Sequence, residues 1–253
     1  MAEAPDRLDA ADRLVLTERE DEIARVTIDR PGARNALNLQ LCVTLRKVFQ
    51  ALDGDPEVRV VLLGAAGPSF CAGADRNERA GRDAAWVRSR RLASFAAYRE
   101  IESCSKPVVA LLNGSVVGSG GEIAMSCDFA IAAADATFRF PEPHLGTVGA
   151  TQRLQRVIGR RRAKELLFTG RLMKAEEAHR LGLVVEVVPP EELAARGEAI
   201  ARTIVEAPAL AIGLTKGAVD LGSETDLERG IGIEMAAIER RLAAGDNDFR
   251  GPR

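Results

Sequence analysis

Two glutamates are the residues best suited to move protons in this chain. Glu122 follows a glycine-rich segment, and Glu142 follows Pro141. If both side chains enter one closed cavity, they cannot both ionise cheaply, so one keeps its proton near neutral pH. Such a pair supplies a general acid and a general base. Each residue also has a simpler explanation, because acids are common in the first turn of a helix and in exposed loops.

Two segments rich in small residues are candidates for presenting backbone amides to a ligand. Residues 69–75 (SFCAGAD) and 113–122 (NGSVVGSGGE) each follow an apolar run. Small side chains let a ligand approach the main chain, and the first amides of a helix favour an anion or a developing oxyanion. The same glycines are compatible with an ordinary turn or with tight packing of a helix on a sheet.

Motifs of other enzyme classes do not match. A dinucleotide fingerprint would need glycine at Ile123, and a nucleophile elbow around Ser119 would need glycine at Val117. Four scattered cysteines and two histidines, His144 and His179, do not predict a metal site. We expect both histidines to be structural or solvated. The arginine-rich stretches at 88–91 and 160–162 are expected on solvated faces, with attraction of a phosphorylated ligand as the alternative.

Composition excludes several classes of protein. The net charge of -2 argues against a nucleic-acid partner, and no apolar run approaches the ~18–20 residues of a membrane span. Apolar residues make up 46% of the chain and aromatics only 4%, which predicts a globular protein with an aliphatic core. Residues 1–12 are interpreted as a polar tail without a targeting signal. The scattered cysteines indicate reduced thiols and a cytoplasmic protein.

The elements that must position the glutamates alternate between short strands and helices. Strands are predicted at 14–17, 23–29, 58–63, 108–112, 129–132, 137–140 and 184–188. Helices are predicted at 38–52, with Asn38 as N-cap, at 83–103 and at 122–127, and residues 114–121 are predicted as a turn. The pattern indicates an α/β core, followed by a helical part from about residue 190.

The sequence resembles the crotonase, or enoyl-CoA hydratase/isomerase, family from about residue 13 to 240. The resemblance lies in IDRPGARNAL (28–37), SFCAGAD (69–75), NGSVVGSGGEIAMSCD (113–128), FRFPEPHLGT (138–147) and TQRL (151–154). It implies a spiral of ββα units at 13–189 and a C-terminal helical part at 190–253. That helical part would drive assembly into a homotrimer or a homohexamer.

The resemblance also implies roles for individual residues. The backbone N–H groups of Ala74 and Ser119 would form an oxyanion hole for a thioester oxygen. Glu122 would act as base on water and Glu142 would protonate the α-carbon, so that a 2-enoyl-CoA becomes a 3-hydroxyacyl-CoA. The implied lining of the CoA channel is Ala33, Arg34, Ala36, Ala72, Gly73, Asp75 and Gly118. Coenzyme A is part of the substrate, and no separate cofactor is implied.

Two departures from the family pattern keep other functions open. The glycine-rich loop before TQRL is shortened to residues 147–150, which alters the acyl pocket and the water site. Residues 248–253 stand where relatives continue with an aromatic and basic tail, so weaker or differently built CoA binding is expected. The alternatives are a double-bond isomerase that uses Glu142, another acyl-CoA-processing activity, or acyl-CoA binding without turnover.

Overall fold

The computed structural model describes residues 14–245 as alternating strands and helices. Its strands are β1 Val15–Glu20, β2 Ile23–Ile28, β3 Val60–Ala65, β4 Val108–Leu112, β5 Ser115–Val117, β6 Phe129–Ala133, β7 Thr137–Arg139, β8 Met173–Lys174 and β9 Glu186–Val188. Its helices are α1 Leu39–Gly54, α2 Arg76–Arg79, α3 Ala84–Glu102, α4 Ser119–Ser126, α5 Thr151–Ile158, α6 Arg160–Thr169, α7 Ala175–Arg180, α8 Leu193–Glu206, α9 Ala209–Ser223 and α10 Leu227–Ala243. The predicted tail at 1–12 and the C-terminal departure at 248–253 lie outside the described residues.

The strands form two sheets, and the chain passes from one sheet to the other more than once. The larger sheet has the order β1-β2-β3-β4-β6-β9, and the smaller has the order β5-β7-β8. After the antiparallel pair β1 and β2, neighbouring strands of the larger sheet are parallel. The segments β4-β5-α4 and β6-β7 each send one strand to the larger sheet and the next to the smaller. This winding agrees with the predicted spiral of ββα units.

The central strand β3 is buried on both faces, as its continuous apolar sequence predicts. Val61 and Leu63 face the main core, whereas Val60 and Leu62 face a second cluster that contains Ala201 of α8. Side chains alternate between the faces of a strand, so an apolar residue at every position indicates cover on both sides. Helix α8 belongs to the predicted C-terminal part (190–253), yet it supplies the cover for one face of this sheet.

The last two helices differ from α8 because none of their residues is buried. Helices α9 and α10 pack against each other and keep large apolar side chains exposed. These are Leu210, Val219, Leu221, Leu227, Ile231, Met235, Ile238 and Leu242, between 42% and 80% exposed. Within residues 14–245, no helix has both the length and the apolar character needed to cross a membrane.

The prediction of a turn over residues 114–121 is wrong. Strand β5 occupies part of it, and α4 begins at Ser119 instead of Glu122. The glycines permit close packing of the helix: a Cβ atom at Gly120 would lie 2.6 Å from the carbonyl oxygen of Cys71, and one at Gly121 would lie 2.5 Å from the ring of Phe140. Gly114, with a φ of 61°, and Gly118, with a φ of 48°, need the conformational freedom of glycine.

Asn35 joins the loop before α1 to the loop after β3. Its side chain is fully buried; Nδ2 donates to the carbonyl oxygens of Ala66 (2.8 Å) and Ser69 (2.7 Å), and Oδ1 accepts from the Arg30 N–H (2.8 Å). Its φ is 55°, in the left-handed region that asparagine tolerates better than most residues. Asn35 therefore fixes the relative position of two segments that were predicted to flank the site.

Substituting Asn35→Ala should lower the free energy of unfolding by about 2–4 kcal/mol. The change removes three hydrogen bonds from a buried position and places alanine at an unfavourable φ. Urea denaturation measures the effect. The exposed Asn77→Ala serves as the control, with an expected change within about 0.5 kcal/mol. Equal stabilities of the two variants would show that the loops are held together by other contacts.

Candidate active site

The backbone N–H of Ala74 points away from the neighbouring segment that contains Leu37. Leu37 forms a parallel bridge with Ala74: the Leu37 N–H donates to the Gly73 carbonyl (2.8 Å), and the Asp75 N–H donates to the Leu37 carbonyl (3.0 Å). In such a bridge Leu37 bonds to the residues on either side of Ala74, so the N–H of Ala74 points to the opposite side. Ala74 is exposed there, in a cavity.

A second amide enters the same cavity from Ser119. Ser119 is the first residue of α4, so its N–H has no acceptor within the helix. The aligned peptide dipoles place partial positive charge at this end of the helix. The amides of Ala74 and Ser119 are therefore suited to an oxygen that carries negative charge.

Two neighbouring cavities contain most of the predicted site residues. One of about 530 Å³ is lined by Ala72, Gly73, Ala74, Asp75, Gly118, Ser119 and Glu142. The other, of about 750 Å³, is lined by Ala33, Arg34, Ala36, Ala72, Ala74 and Asp75. Because they share Ala72, Ala74 and Asp75, a ligand can extend from one into the other. Glu122 does not line either of these two cavities.

Glu142 lies in a short 3-10 turn, Glu142–Leu145, and its side chain is buried. Glycines lie against its carboxyl group: a Cβ atom would be 2.7 Å from Oε1 at Gly118 and 3.1 Å from it at Gly149. Oε2 is buried and has no hydrogen-bond partner within the described residues. Burial raises the pKa of Glu142; its own backbone and Arg91 oppose the rise, and the negative charge of Glu122 adds to it. This environment favours the protonated acid.

Glu122 lies on α4 and is also buried, but its carboxylate has a charged partner. Its Oε2 pairs with the guanidinium of Arg153 at 3.3 Å, and Arg153 also pairs with Glu102 at 2.8 Å. Burial raises the pKa of Glu122, while Arg153, Arg91 and the Ala150 N–H oppose that rise. The ionised form of Glu122 thus has partners that the carboxyl group of Glu142 lacks. The two glutamates are close enough for one to influence the pKa of the other.

Comparisons with known proteins identify the family of this chain. The sequence matches the family described as enoyl-CoA hydratase/isomerase over residues 18–247. The chain belongs to the enoyl-CoA hydratase/isomerase, or crotonase, family. The predicted crotonase fold is thereby confirmed, since a solved enoyl-CoA hydratase from Bacillus anthracis has a TM-score of 0.88 at 35% identity, with 90% of each chain covered.

Two curated relatives span nearly the same length as this crotonase-family chain. A crotonyl-CoA hydratase from Syntrophomonas wolfei is 39% identical and covers 92% of this chain and 91% of its own. A short-chain-enoyl-CoA hydratase from Clostridium acetobutylicum is 40% identical and covers 92% of this chain and 90% of its own. The similarity therefore extends over the core and most of the C-terminal helices.

The loop at residues 147–150 of this crotonase contacts both glutamates. Gly149 lies against the side chain of Glu142, and the Ala150 N–H acts on the carboxyl group of Glu122. Ala150 has a φ of 54°, which directs the chain straight into α5 and brings Arg153 to Glu122. The loop that was predicted to alter the pocket therefore lies in contact with both acids, and its shortening relative to the family stays a prediction.

Three residues of the site were not predicted from the sequence. Arg153 pairs with Glu122, Arg91 lines the cavity, and Tyr98 lies under the guanidinium of Arg153, 5.4 Å from the ring centroid. Arg153 stands in the TQRL motif, which was a usable signal. Arg91 and Tyr98 are seven residues apart and share one face of α3, but only the packed structure shows which face meets the site.

Asp75 lines both cavities, yet its carboxylate is committed to the fold. It accepts from the N–H groups of Asn77 (2.9 Å) and Glu78 (3.2 Å) as N-cap of α2, and it pairs with Arg30 at 2.6 Å. Burial would raise the pKa of Asp75, but Arg30 and the two amides outweigh it and hold that pKa below its usual range. Its role here is to fix the segment that follows Ala74.

Both histidines make structural contacts with backbone carbonyl groups, as predicted. His144 Nε2 contacts the Phe168 carbonyl at 2.8 Å, and His179 Nδ1 contacts the Val184 carbonyl at 3.2 Å.

The prediction that Arg90 lies on a solvated face is wrong, because its side chain is buried. Its guanidinium is satisfied by the Leu37 carbonyl and by the Ser94 hydroxyl, which explains why burial is tolerated. In the described part of the chain, no group of three His, Cys, Asp or Glu residues is arranged to hold a metal ion.

Removing Arg153 should raise the pKa of Glu122 further. The positive charge at 3.3 Å favours the ionised carboxylate, so Arg153→Met should make Glu122 bind its proton at a higher pH. Arg153→Lys should shift it less, because a cation remains. Isotope-edited infrared spectroscopy of the carboxyl band, assigned by its loss in Glu122→Gln, measures the titration.

The matched control is Arg156→Met on the same helix. Arg156 is exposed and pairs with Glu224 at 3.4 Å. The variant Arg156→Met should leave the titration of Glu122 unchanged. If Arg153→Met and Arg156→Met titrate alike, Arg153 does not stabilise the ionised form of Glu122.

Proposed function

We propose that the protein adds water to a 2-enoyl-CoA thioester and forms a 3-hydroxyacyl-CoA. One observation carries the proposal: Glu142 and two unpaired amides line a single cavity, and a second buried glutamate, Glu122, is electrostatically coupled to Glu142. The family and the hydratase names of two relatives at about 40% identity support the same reaction. Hydration needs an acid, a base and a means of stabilising the enolate, and each has a candidate here.

The thioester oxygen accepts hydrogen bonds from the N–H groups of Ala74 and Ser119. Charge develops on this oxygen as the β-carbon is attacked, so the two amides stabilise the enolate more than the substrate. Loss of one such donor typically reduces the rate on the order of 10²–10³-fold. Both donors are backbone groups, which accounts for Ser119 at a position where many relatives have glycine.

The surroundings of the two glutamates assign their roles. Glu122, whose ionised form is stabilised by Arg153 and the Ala150 N–H, is the base that takes a proton from water. The water oxygen bonds to the β-carbon. Glu142, whose Oε2 lacks a partner, holds its proton and delivers it to the α-carbon. The cycle closes when a proton returns from Glu122 to Glu142.

The cavity of about 750 Å³ is the proposed channel for coenzyme A. Arg34 and Arg76 line it and supply positive charge for the phosphates of CoA. Ala33, Ala36 and Ala72 are small enough to let the pantetheine arm pass. Proton transfers between water, two carboxyl groups and substrate carbons call for no cofactor apart from the CoA carried by the substrate.

Glu122→Gln and Glu142→Gln should each lower kcat by about 10²–10⁴-fold, because a glutamine neither accepts nor donates the proton. Loss of absorbance of the conjugated thioester, followed with crotonyl-CoA and longer enoyl-CoA substrates, measures the rate. The exposed Glu176→Gln on α7 is the control and should keep full activity. Full activity in either of the first two variants contradicts the roles assigned.

A double-bond isomerase is the second candidate, and one observation favours it. Glu142 lines the cavity with the two amides, whereas Glu122 does not. An isomerase needs only one acid/base to move a proton along the acyl chain. In that case Glu122→Gln would keep its activity and only Glu142→Gln would lose it, with the isomer as product. Product analysis in the same assays separates the two reactions.

The exposed apolar residues of α9 and α10 support assembly into a homotrimer, or a homohexamer of two trimers. A cavity of about 650 Å³ between these helices is lined by Leu214, Ala218, Leu227 and Ile238. Apolar surface of this extent on consecutive helices is typical of an interface between subunits.

We also propose that the protein works in a reducing compartment such as the cytoplasm, because its cysteines are free and buried.

Light scattering should show a mass of three or six chains of 27.1 kDa. A double change, Leu227→Glu with Ile231→Glu, places charge on the exposed apolar face and should yield monomers. Thr203→Glu, at an exposed polar position of α8, is the control and should assemble normally. A monomeric unmodified protein would end the proposal of a trimer.

A further inference from the structure

Arg91 brings a positive charge into the cavity that holds Glu142, Ala74 and Ser119. One of its terminal nitrogens donates to the Val148 carbonyl at 3.1 Å, and its guanidinium carbon lies 6.0 Å from the ring centroid of Phe95. These contacts orient the group without neutralising it. A guanidinium has five N–H donors, so most of its hydrogen-bonding capacity remains for a ligand.

Arg91 differs from other arginines around the site in the partners of its guanidinium group. Arg30 pairs with Asp75 at 2.6 Å, and Arg153 pairs with Glu102 at 2.8 Å and Glu122 at 3.3 Å. Arg91 forms no ion pair of this kind with a carboxylate in residues 14–245. Arg79 lines the same cavity and adds positive charge to it. Arg79 and Arg91 therefore make the cavity that contains Glu142 more positive than its carboxyl groups alone would make it.

This charge acts at the reaction centre. Burial raises the pKa of both Glu122 and Glu142, and Arg91 opposes the rise in both. For Glu142 as a proton donor, a nearby cation is unfavourable, because it favours the ionised form. A cavity for a plain alkyl chain would gain more from an apolar side chain at this position, since desolvating an unpaired cation is costly. An anionic group on the ligand removes both costs.

We propose that the natural substrate is a 2-enoyl-CoA whose acyl chain carries a carboxylate at the end distal to the thioester, and that Arg91 binds this carboxylate. The inference rests on the proposed hydratase function and deepens it to a substrate class. A carboxylate accepts two hydrogen bonds from one guanidinium in a fixed plane. The amides of Ala74 and Ser119 hold the thioester end, Arg91 holds the other end, and the double bond is fixed between them.

Binding of saturated CoA thioesters tests the proposal without turnover. Glutaryl-CoA carries the distal carboxylate, and 5-methylhexanoyl-CoA carries an isopropyl group of the same shape in its place. By titration calorimetry the unmodified protein should bind glutaryl-CoA more tightly. Arg91→Met should weaken glutaryl-CoA about 10–100-fold and change 5-methylhexanoyl-CoA less than about 3-fold, because only the charged hydrogen bonds are lost. Arg91→Lys should recover part of the loss.

Arg88→Met is the matched control, since Arg88 is an exposed arginine of the same helix. It should leave both affinities unchanged. The proposal is overturned if the unmodified protein prefers 5-methylhexanoyl-CoA. It is also overturned if Arg91→Met weakens both ligands equally, which would show that Arg91 only holds the loop through Val148.

Hydration of the corresponding 2-enoyl thioesters is measured separately. Absence of turnover with both the carboxylated and the branched substrate counts against the proposed hydratase function. The ratio of the two binding constants still decides the role of Arg91 in that event. The two failures are therefore distinguishable.

Discussion

The proposed oxyanion site depends on the hydrogen bonds that the backbone of Leu37 makes. Its N–H and carbonyl join the residues on either side of Ala74, which leaves the Ala74 amide facing the cavity. The same carbonyl also accepts from the buried guanidinium of Arg90. Asn35, two residues earlier, fixes the loop from the other side through its three hydrogen bonds. A group that must stabilise a transient charge is thus held by bonds that are themselves shielded from water, where they are stronger.

The proposed acid, Glu142, and the proposed base, Glu122, have neighbours of different kinds. Glu122 lies between charged and amide partners, whereas Glu142 lies among glycines with one oxygen left unpaired. The loop at 147–150 connects the two environments, because Gly149 meets one carboxyl group and Ala150 the other. The same four residues consequently contribute to proton affinity and to pocket shape, so a change in this loop alters both together.

Much of the fold follows from sequence periodicity, because strands buried on both faces leave continuous apolar runs such as Val60–Leu63. The site segments were predictable from their motifs. The start of α4 was not, since Gly120 and Gly121 resemble turn residues but serve contacts with Cys71 and Phe140 that are distant in sequence. Arg90 and Arg91 are adjacent in a charged stretch, and only the packing of α3 shows that one is buried and the other enters the cavity.

The glycines beside Glu142 have a consequence for the cost of reaction. With Gly118 and Gly149 against its carboxyl group, this side chain has few rotamers left within its slot. A long flexible acid on an open surface would lose about 1–2 kcal/mol of conformational entropy on being ordered. Here that ordering is completed during folding, so the acid meets each new ligand already pre-organised.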